Sequence, residues 1–237
     1  MLTHKGTVTL ETHRLILRKA ELADALPMFH NWASDEDVTK FLTWPTYKTV
    51  ESAYPILNIW VNNYEKLDFY QWMIVLKEIG EPIGSISVVN HRDDIAEAEI
   101  GYCIGKHWWH QGIVSEALTA VMDYLFDEVG MNRIEAKHDV NNPHSGGVMK
   151  KCGMRYEGTS RQSDRNNRGI CDLVTYGILR SDRQGKRGSK CFLFFVFLTW
   201  CRRCGRRHRR GRERCKHGHS ASRRRQPCRC PHQDVPR

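Results

Sequence analysis

The chain has 237 residues, of which 40% are hydrophobic, and its formal net charge is +10. Residues 183–237 contain 15 Arg and 3 Lys against only Glu213 and Asp234, a charge of +16, which leaves −6 for residues 1–182. The basic character therefore belongs to the C-terminal part alone. The charge supports a nucleic-acid partner for residues 183–237 only. Residues 1–182 are acidic overall, so their charge gives no reason to expect nucleic-acid binding.

Cellular location follows from what the sequence lacks. No apolar segment follows the first residue, so no secretory signal is apparent, and Cys103, Cys152 and Cys171 are too scattered for a disulfide framework. The most apolar run, residues 191–201, has about half of the roughly 20 residues that a membrane-spanning helix needs. We therefore expect a cytoplasmic protein with no membrane partner.

Strand and helix patterns alternate along the first part of the chain. In the segment Leu15–Lys19 the side chains follow a period of two, in which Leu15 and Leu17 alternate with Ile16 and Arg18, and this pattern predicts a strand. Apolar residues near helical spacing predict one helix within residues 20–33 and another after Thr49, a candidate cap. Two strands then flank a turn at Glu78–Pro82, which predicts a β-hairpin.

The pattern continues to residue 179. Glu97–Gly105 predicts a further strand, and residues 113–125 carry the single apolar stripe of an amphipathic helix. Residues 133–140 and 171–179 predict two more strands, with a short helix between them that Gly153 closes. The order predicts one mixed α/β domain, with antiparallel strands in front and a β-α-β crossover behind.

The junction between Gly105 and Ile113 joins a strand to a helix through a Gln-Gly step. The first turn of a helix offers unpaired N–H groups and the positive end of the helix dipole, and both attract phosphate. Gly112 lets a ligand approach the backbone closely. The same spacing is typical of a plain tight turn, so alone it is a weak indication of a phosphate site.

Four segments in this order are specific in combination: LETHRLILR, EPIGSISV, EAEIGYCIGKHWWHQGIVSEAL and VNNPHSGGVMKKCGMRYEGTSR. From about Leu10 to Ser181 the chain resembles the GNAT superfamily of acetyl-CoA-dependent N-acetyltransferases, and within it the ribosomal-protein N-terminal (Rim-type) branch. The resemblance implies a mostly antiparallel sheet with about four helices. Its fourth and fifth predicted strands, 97–105 and 133–140, would splay to admit the pantetheine arm of acetyl-CoA, the co-substrate, and no metal is implied.

The resemblance also implies which residues bind the coenzyme. They are Tyr102, Ile104, Gln111, Gly112, Ile113, Val114, Ser115 and Asn142. Two positions depart from the family pattern, because Val114 is bulkier than the usual Gly or Ala and Gly147 stands where relatives commonly have Arg. We therefore expect weaker coenzyme binding than is typical of the family.

Acetyl transfer needs a base for the proton of the acceptor ammonium and an acid for the departing thiolate. The resemblance implies that Glu99 is the base, directly or through water, and that Ser145 protonates the coenzyme A sulfur. Simpler explanations stay open. Glu99 is also consistent with a non-catalytic carboxylate on the solvent-exposed face of a strand, with Glu97 beside it. Asn142 and Ser145 are also consistent with residues that simply start a helix.

Aromatic residues are frequent near the predicted cleft. Trp44 and Tyr47 lie in the loop before the second predicted helix, where family members close over the acceptor, and Trp72 lies on the first hairpin strand. We expect these three residues to contact the acceptor, although a core position is the default for large aromatic side chains. The histidines show no metal-ligand spacing, so no metal is predicted.

Residues 183–237 lack the apolar period of a packed domain, and we expect a disordered basic tail. Their Cys and His residues fit a zinc module only with irregular spacing, and their Arg runs fit RNA binding or a localisation signal. We favour an out-of-frame or read-through extension, because the family resemblance ends near Asp182.

Residues 1–182 are thus predicted to move the acetyl group of acetyl-CoA to a primary amine by direct attack in a ternary complex. The acceptor is a protein N-terminus or a small molecule, and the protein is a monomer or a homodimer. Two alternatives remain: a non-catalytic acyl-CoA-binding regulatory module, and a nucleic-acid-binding protein that acts through the tail.

Overall fold

The computed structural model describes residues 1–187, so the predicted tail beyond residue 187 lies outside the described residues. The helices are α1 (Ala25–Met28), α2 (Glu36–Thr39), α3 (Tyr54–Asn63), α4 (Ile113–Tyr124), α5 (Pro143–Lys151) and α6 (Arg180–Arg187). The strands are β1 (Leu10–Glu11), β2 (Leu15–Arg18), β3 (Gln71–Leu76), β4 (Glu81–Arg92), β5 (Glu97–Ile104), β6 (Arg133–Asp139), β7 (Arg155–Asn166) and β8 (Gly169–Leu179). None of the helices within residues 1–187 is long and apolar enough to cross a membrane.

Within residues 1–187 the strands form one mixed sheet in the order β1-β2-β3-β4-β5-β6-β8-β7. Neighbouring strands are antiparallel except for β5 and β6, which are parallel because α4 carries the chain back across the sheet. The predicted mixed α/β fold, its β3–β4 hairpin and its β-α-β crossover are therefore confirmed.

Alternate residues of the central strands face two separate hydrophobic cores. On β3, Trp72 and Ile74 belong to the core beneath α4 and α5, whereas Met73 and Val75 belong to the core beneath α1 and α3. All four side chains are buried. The continuous apolar run of β3 therefore reflects a strand that is covered on both faces.

The parallel strands β5 and β6 are joined over only part of their length. Glu97–Glu99 pair with Arg133–Glu135, and the pairing ends there. Beyond this point β5 remains bonded to β4, and β6 remains bonded to β8. Each strand is held by its outer neighbour, so the predicted splay is present and leaves a gap between two backbone edges.

Ion pairs reinforce the joined end of these strands. The Arg133 guanidinium donates to Glu97 at 2.6 Å and to Glu135 at 2.9 Å, and it also bonds to Glu157 on β7. The Glu97 side chain is only 9% exposed. Hydrogen bonds with Glu157, Glu135 and Glu97 outweigh burial and raise the pKa of Arg133. One cation thus ties three strands together beside the gap.

Some elements differ from the sequence-based expectations. Neither β1 nor β7 was predicted, because β1 is very short and the largely exposed residues of β7 show no apolar alternation. The helix predicted within residues 20–33 is divided into 3₁₀, α and π segments. Thr49 precedes its helix, but its side chain accepts no capping bond.

Candidate active site

A cavity of about 900 Å³ opens at the gap between β5 and β6. Its walls come from the second half of β5, the starts of α4 and α5, and the loop around α2. The predicted coenzyme residues that line it are Tyr102, Ile104, Gly112, Ile113, Val114, Ser115 and Asn142. Three segments that are separate in sequence therefore meet at one opening in the sheet.

The first turn of α4 is arranged to receive an anion. Gly112 precedes the helix in the left-handed conformation, with φ of 74°. No side chain of the described residues caps this turn, so its N–H groups are open to a ligand. The Val114 side chain is buried in the core beneath α4, which accommodates its bulk.

Two cationic side chains flank Gly112. A β-carbon placed on this glycine would lie 3.1 Å from Lys151 Nζ and 3.9 Å from a guanidinium nitrogen of Arg14. Lys151 lies about one turn of α5 beyond Gly147, the position where the family pattern has Arg, and it lines the cavity. Lys151 therefore supplies a positive charge close to position 147, where this chain has Gly in place of the family's Arg.

Glu116 on α4 holds Arg14 in place. Its carboxylate accepts hydrogen bonds from the Arg14 side chain at 2.7 Å, the Arg14 backbone at 3.0 Å and Thr12 at 2.6 Å. Burial would raise the pKa of Glu116, but these bonds outweigh it and lower the pKa. Arg14 also donates to the Gln111 carbonyl, whereas the Gln111 side chain donates to His107 and does not line the cavity.

Tyr102 and Ser145 form a hydroxyl pair on the α5 side of β5. The Tyr102 hydroxyl donates to the Ser145 carbonyl at 3.0 Å, and the Ser145 hydroxyl donates to the Tyr102 oxygen at 3.1 Å. Burial raises the pKa of Tyr102, so its phenol stays protonated. Both residues line the cavity, and so does Asn142, which precedes α5.

Glu99 lies on the face of β5 opposite Tyr102, because successive strand residues point to alternate faces. Its carboxylate accepts a hydrogen bond from Lys137 Nζ on β6 at 2.8 Å, and Lys137 also pairs with Glu135 at 3.0 Å. Burial would lower the pKa of Lys137, but these two carboxylates raise it. Lys137 lines the cavity, whereas Glu99 does not.

The residues predicted to contact the acceptor do not line the cavity. Trp72 is fully buried and its indole N–H donates to a backbone carbonyl at 2.7 Å, which makes it a core residue. Trp44 and Tyr47 are half-buried and contact each other, with ring centroids 5.2 Å apart. Phe41 and Leu42 of the same loop line the cavity instead.

Three cationic residues near the gap were missed in the sequence. Arg14 lies inside the first segment that carries the family resemblance, so it was visible but had no stated role. Lys151 follows Gly147 at helical spacing, which was a usable signal for a replacement charge. Lys137 had no comparable signal, because only the closeness of β5 and β6 pairs it with Glu99.

A mixed sheet whose parallel strands open beside an uncapped, cation-flanked helix start is typical of a site that binds an anionic ligand. The profile described as "Acetyltransferase (GNAT) domain" matches residues 14–155, and the chain belongs to this family.

Relatives agree with this assignment. The "Uncharacterized N-acetyltransferase p20" of Bacillus licheniformis is 30% identical over 177 residues, which cover 75% of this chain and 99% of that protein. The ribosomal protein uS5-alanine N-acetyltransferase of Escherichia coli is 28% identical over 65% of this chain and 81% of its own length. A crystal structure of a GNAT-family acetyltransferase from Bacillus anthracis has a TM-score of 0.64 at 27% identity, covering 73% of this chain and 99% of that one. The predicted resemblance, including relatives that act on ribosomal proteins, is confirmed.

Proposed function

We propose that residues 1–182 form one catalytic domain that transfers the acetyl group of acetyl-CoA to a primary amine by direct attack in a ternary complex. One observation carries the proposal. Glu99 and the Tyr102–Ser145 pair lie on opposite faces of β5, just where its pairing with β6 ends. A thioester from the α5 side and an amine from the Glu99 side would therefore meet within the gap.

The residues present fit acetyl-CoA, which supplies the activated acetyl group when it is bound. The open N–H groups of α4, with Lys151 and Arg14 beside them, suit a pyrophosphate. Residues 100–103 of β5 pair with no described strand on the gap side, and their backbone groups suit the amides of a pantetheine arm. The carbonyl of Ile104 already accepts a hydrogen bond from the Trp109 indole. Whether the affinity is lower than is typical of the family stays a prediction.

Glu99 accepts a proton from the acceptor ammonium, directly or through water, once its contact with Lys137 opens. The freed amine attacks the acetyl carbonyl, forming the C–N bond. The nitrogen then releases its second proton to solvent, and the C–S bond breaks. The Ser145 hydroxyl donates a proton to the departing sulfur and is reprotonated from solvent, to which Glu99 releases its own proton. In the structure the Ser145 hydroxyl donates its proton to the Tyr102 oxygen at 3.1 Å, so this hydrogen bond breaks when the proton passes to the sulfur.

The acceptor is proposed to be a protein N-terminus or a small-molecule amine. The relative from Escherichia coli is named for acetylation of an alanine of a ribosomal protein, which supports a peptide acceptor. The net charge of −6 on residues 1–182 favours cationic acceptors. We retain the proposals of a cytoplasmic location and of a monomer or homodimer.

The decisive experiment measures thiol release by the full chain with acetyl-CoA and a panel of peptides, polyamines and amino sugars. Glu99→Gln and Ser145→Ala are each expected to lower kcat on the order of 10²-fold. Glu78→Gln, in the exposed β3–β4 turn, and Ser163→Ala, on exposed β7, are the matched controls and should keep full activity.

Two outcomes would contradict the proposal. Unchanged turnover in Glu99→Gln would remove the base role and leave that carboxylate as the ionic partner of Lys137 alone. Coenzyme binding without thiol release on any amine would favour a non-catalytic acyl-CoA-binding module.

A further inference from the structure

Three potential metal ligands converge outside the cavity. His4 belongs to the N-terminal segment, His91 to the end of β4, and Asp93 to the turn that follows. Among the residues that the structure describes, these three place their ligand atoms within 4.8 Å of one another. His4 Nε2 lies 3.2 Å, and His91 Nδ1 2.8 Å, from the same oxygen of Asp93.

These separations suit a small divalent ion. Zinc bonds to imidazole nitrogen and carboxylate oxygen are about 2.0–2.2 Å long, which places tetrahedral ligand atoms roughly 3.3 Å apart. The two observed N···O distances lie within a few tenths of an ångström of that spacing. Two of the three ligand separations are therefore close to those of a tetrahedral zinc site, and the third is within 4.8 Å.

Tyr70 orients the His4 imidazole. Its hydroxyl lies 2.9 Å from His4 Nδ1, and Tyr70 is only 1% exposed, so this partner is fixed in the core. The hydroxyl can accept a hydrogen bond from Nδ1–H, which leaves the Nε2 lone pair directed at the cluster. Metal-binding histidines commonly have such a partner on their second ring nitrogen.

The two imidazoles of the cluster meet at a single carboxylate oxygen. The His4 and His91 rings approach with centroids 5.0 Å apart, and both ring nitrogens address one carboxylate oxygen of Asp93. A single divalent ion would replace the protons on both nitrogens and bind all three groups at once.

We propose that His4, His91 and Asp93 bind zinc or a similar divalent transition-metal ion, with water in the fourth position. Two imidazoles and one carboxylate favour zinc over calcium or magnesium, which prefer oxygen ligands. The sequence analysis predicted no metal because His4 and Asp93 are 89 residues apart and only the fold brings them together.

The ion has a structural role in this proposal. The N-terminal segment is already bonded at Thr3, which donates to Val129 at 2.8 Å, and at Gly6, which donates to Leu67 at 2.7 Å. An ion at His4 fastens the segment between these bonds to the β4–β5 turn. Zinc is therefore expected to raise the unfolding temperature and to leave acetyl transfer unchanged.

The test must resolve individual histidines, because residues 191–232 contain further Cys and His residues. The full chain is treated with diethyl pyrocarbonate, with and without zinc chloride, and modification of each histidine is followed by peptide mass spectrometry. Zinc is expected to protect His4 and His91 and to leave His30, an exposed histidine of the first helical region, unprotected.

Two variants complete the test. Asp93→Asn is expected to weaken zinc protection of His4 roughly tenfold or more, whereas His30→Ala should leave it unchanged. Circular dichroism without zinc establishes that both variants fold. The proposal is overturned if zinc protects neither His4 nor His91 in the wild-type chain, or if protection is the same in Asp93→Asn.

Discussion

The two ends of the β5–β6 pair are held together in different ways. At the joined end, Glu97–Glu99 bond to Arg133–Glu135, and Arg133 ties three carboxylates to this junction. At the open end the strands part, and the cavity with Tyr102 and Ser145 occupies the space. Neighbouring parts of the same two strands thus serve stability in one case and ligand access in the other.

The sheet opens between β5 and β6 without unfolding. Beyond the joined residues, β5 still bonds to β4 and β6 still bonds to β8, so each strand gives up hydrogen bonds on one edge only. The backbone groups on those edges need partners, which water or a ligand can supply. The hydrogen bonds and ion pairs at the joined end must therefore keep β5 and β6 from separating further.

Removing the cation at the joined end should have the largest effect on stability. Arg133→Ala leaves Glu97, whose side chain is 9% exposed, with no partner except Arg92 among the described ion pairs, and it is expected to destabilise the fold by about 3 kcal/mol. Arg92→Ala is the matched control, since Arg92 pairs with the same carboxylate but is 56% exposed, and it should cost less than about 1 kcal/mol. Urea unfolding measures both, and equal losses would refute the special role of Arg133.

A change at the open end should weaken ligand binding more than folding. Lys151→Ala is expected to raise the Kd for coenzyme A about tenfold, or ~1.4 kcal/mol, because it removes a cation beside Gly112. Lys150→Ala is the control, since Lys150 lies over the Tyr176 ring and does not line the cavity. Calorimetric titration compares the two, and an unchanged Kd in Lys151→Ala would show that the α4 N–H groups and Arg14 are sufficient.

Acid should loosen the joined end by a smaller amount. Burial would raise the pKa of Glu135, but bonds from Arg133 and Lys137 outweigh it and lower the pKa, and the Arg133 bond also lowers that of Glu157. Carboxyl groups with lowered pKa values stabilise the fold fully above their ordinary value of 4.5, and this stability is lost as the pH falls through the lowered values. The free energy of unfolding should therefore fall below about pH 4.5, and fall less steeply in Arg133→Ala. Equal slopes in the two proteins would contradict this assignment.

Much of the fold was predictable from local patterns. The alternation around Leu15 and the apolar stripe from Ile113 each correspond to an observed element. The turn predicted at Glu78–Pro82 is shorter in the structure, because Glu81 and Pro82 already belong to β4. Strand β7 was not predictable in this way, because its residues are largely exposed and show no alternation of apolar and polar side chains. Trp72 was assigned to the acceptor site, although β3 is covered on both faces and places that residue in a core.

The sequence by itself determined the order of the elements with a clear apolar pattern, the family and the residues at the turn before α4, because these depend on neighbours in the chain. Only the tertiary structure decided which distant side chains meet. Lys151 reaches Gly112, Lys137 pairs with Glu99, and His4 joins Asp93 through contacts between separate elements. Such contacts depend on how strands align and where their pairing ends, and they cannot be predicted from the periodicity of a single segment.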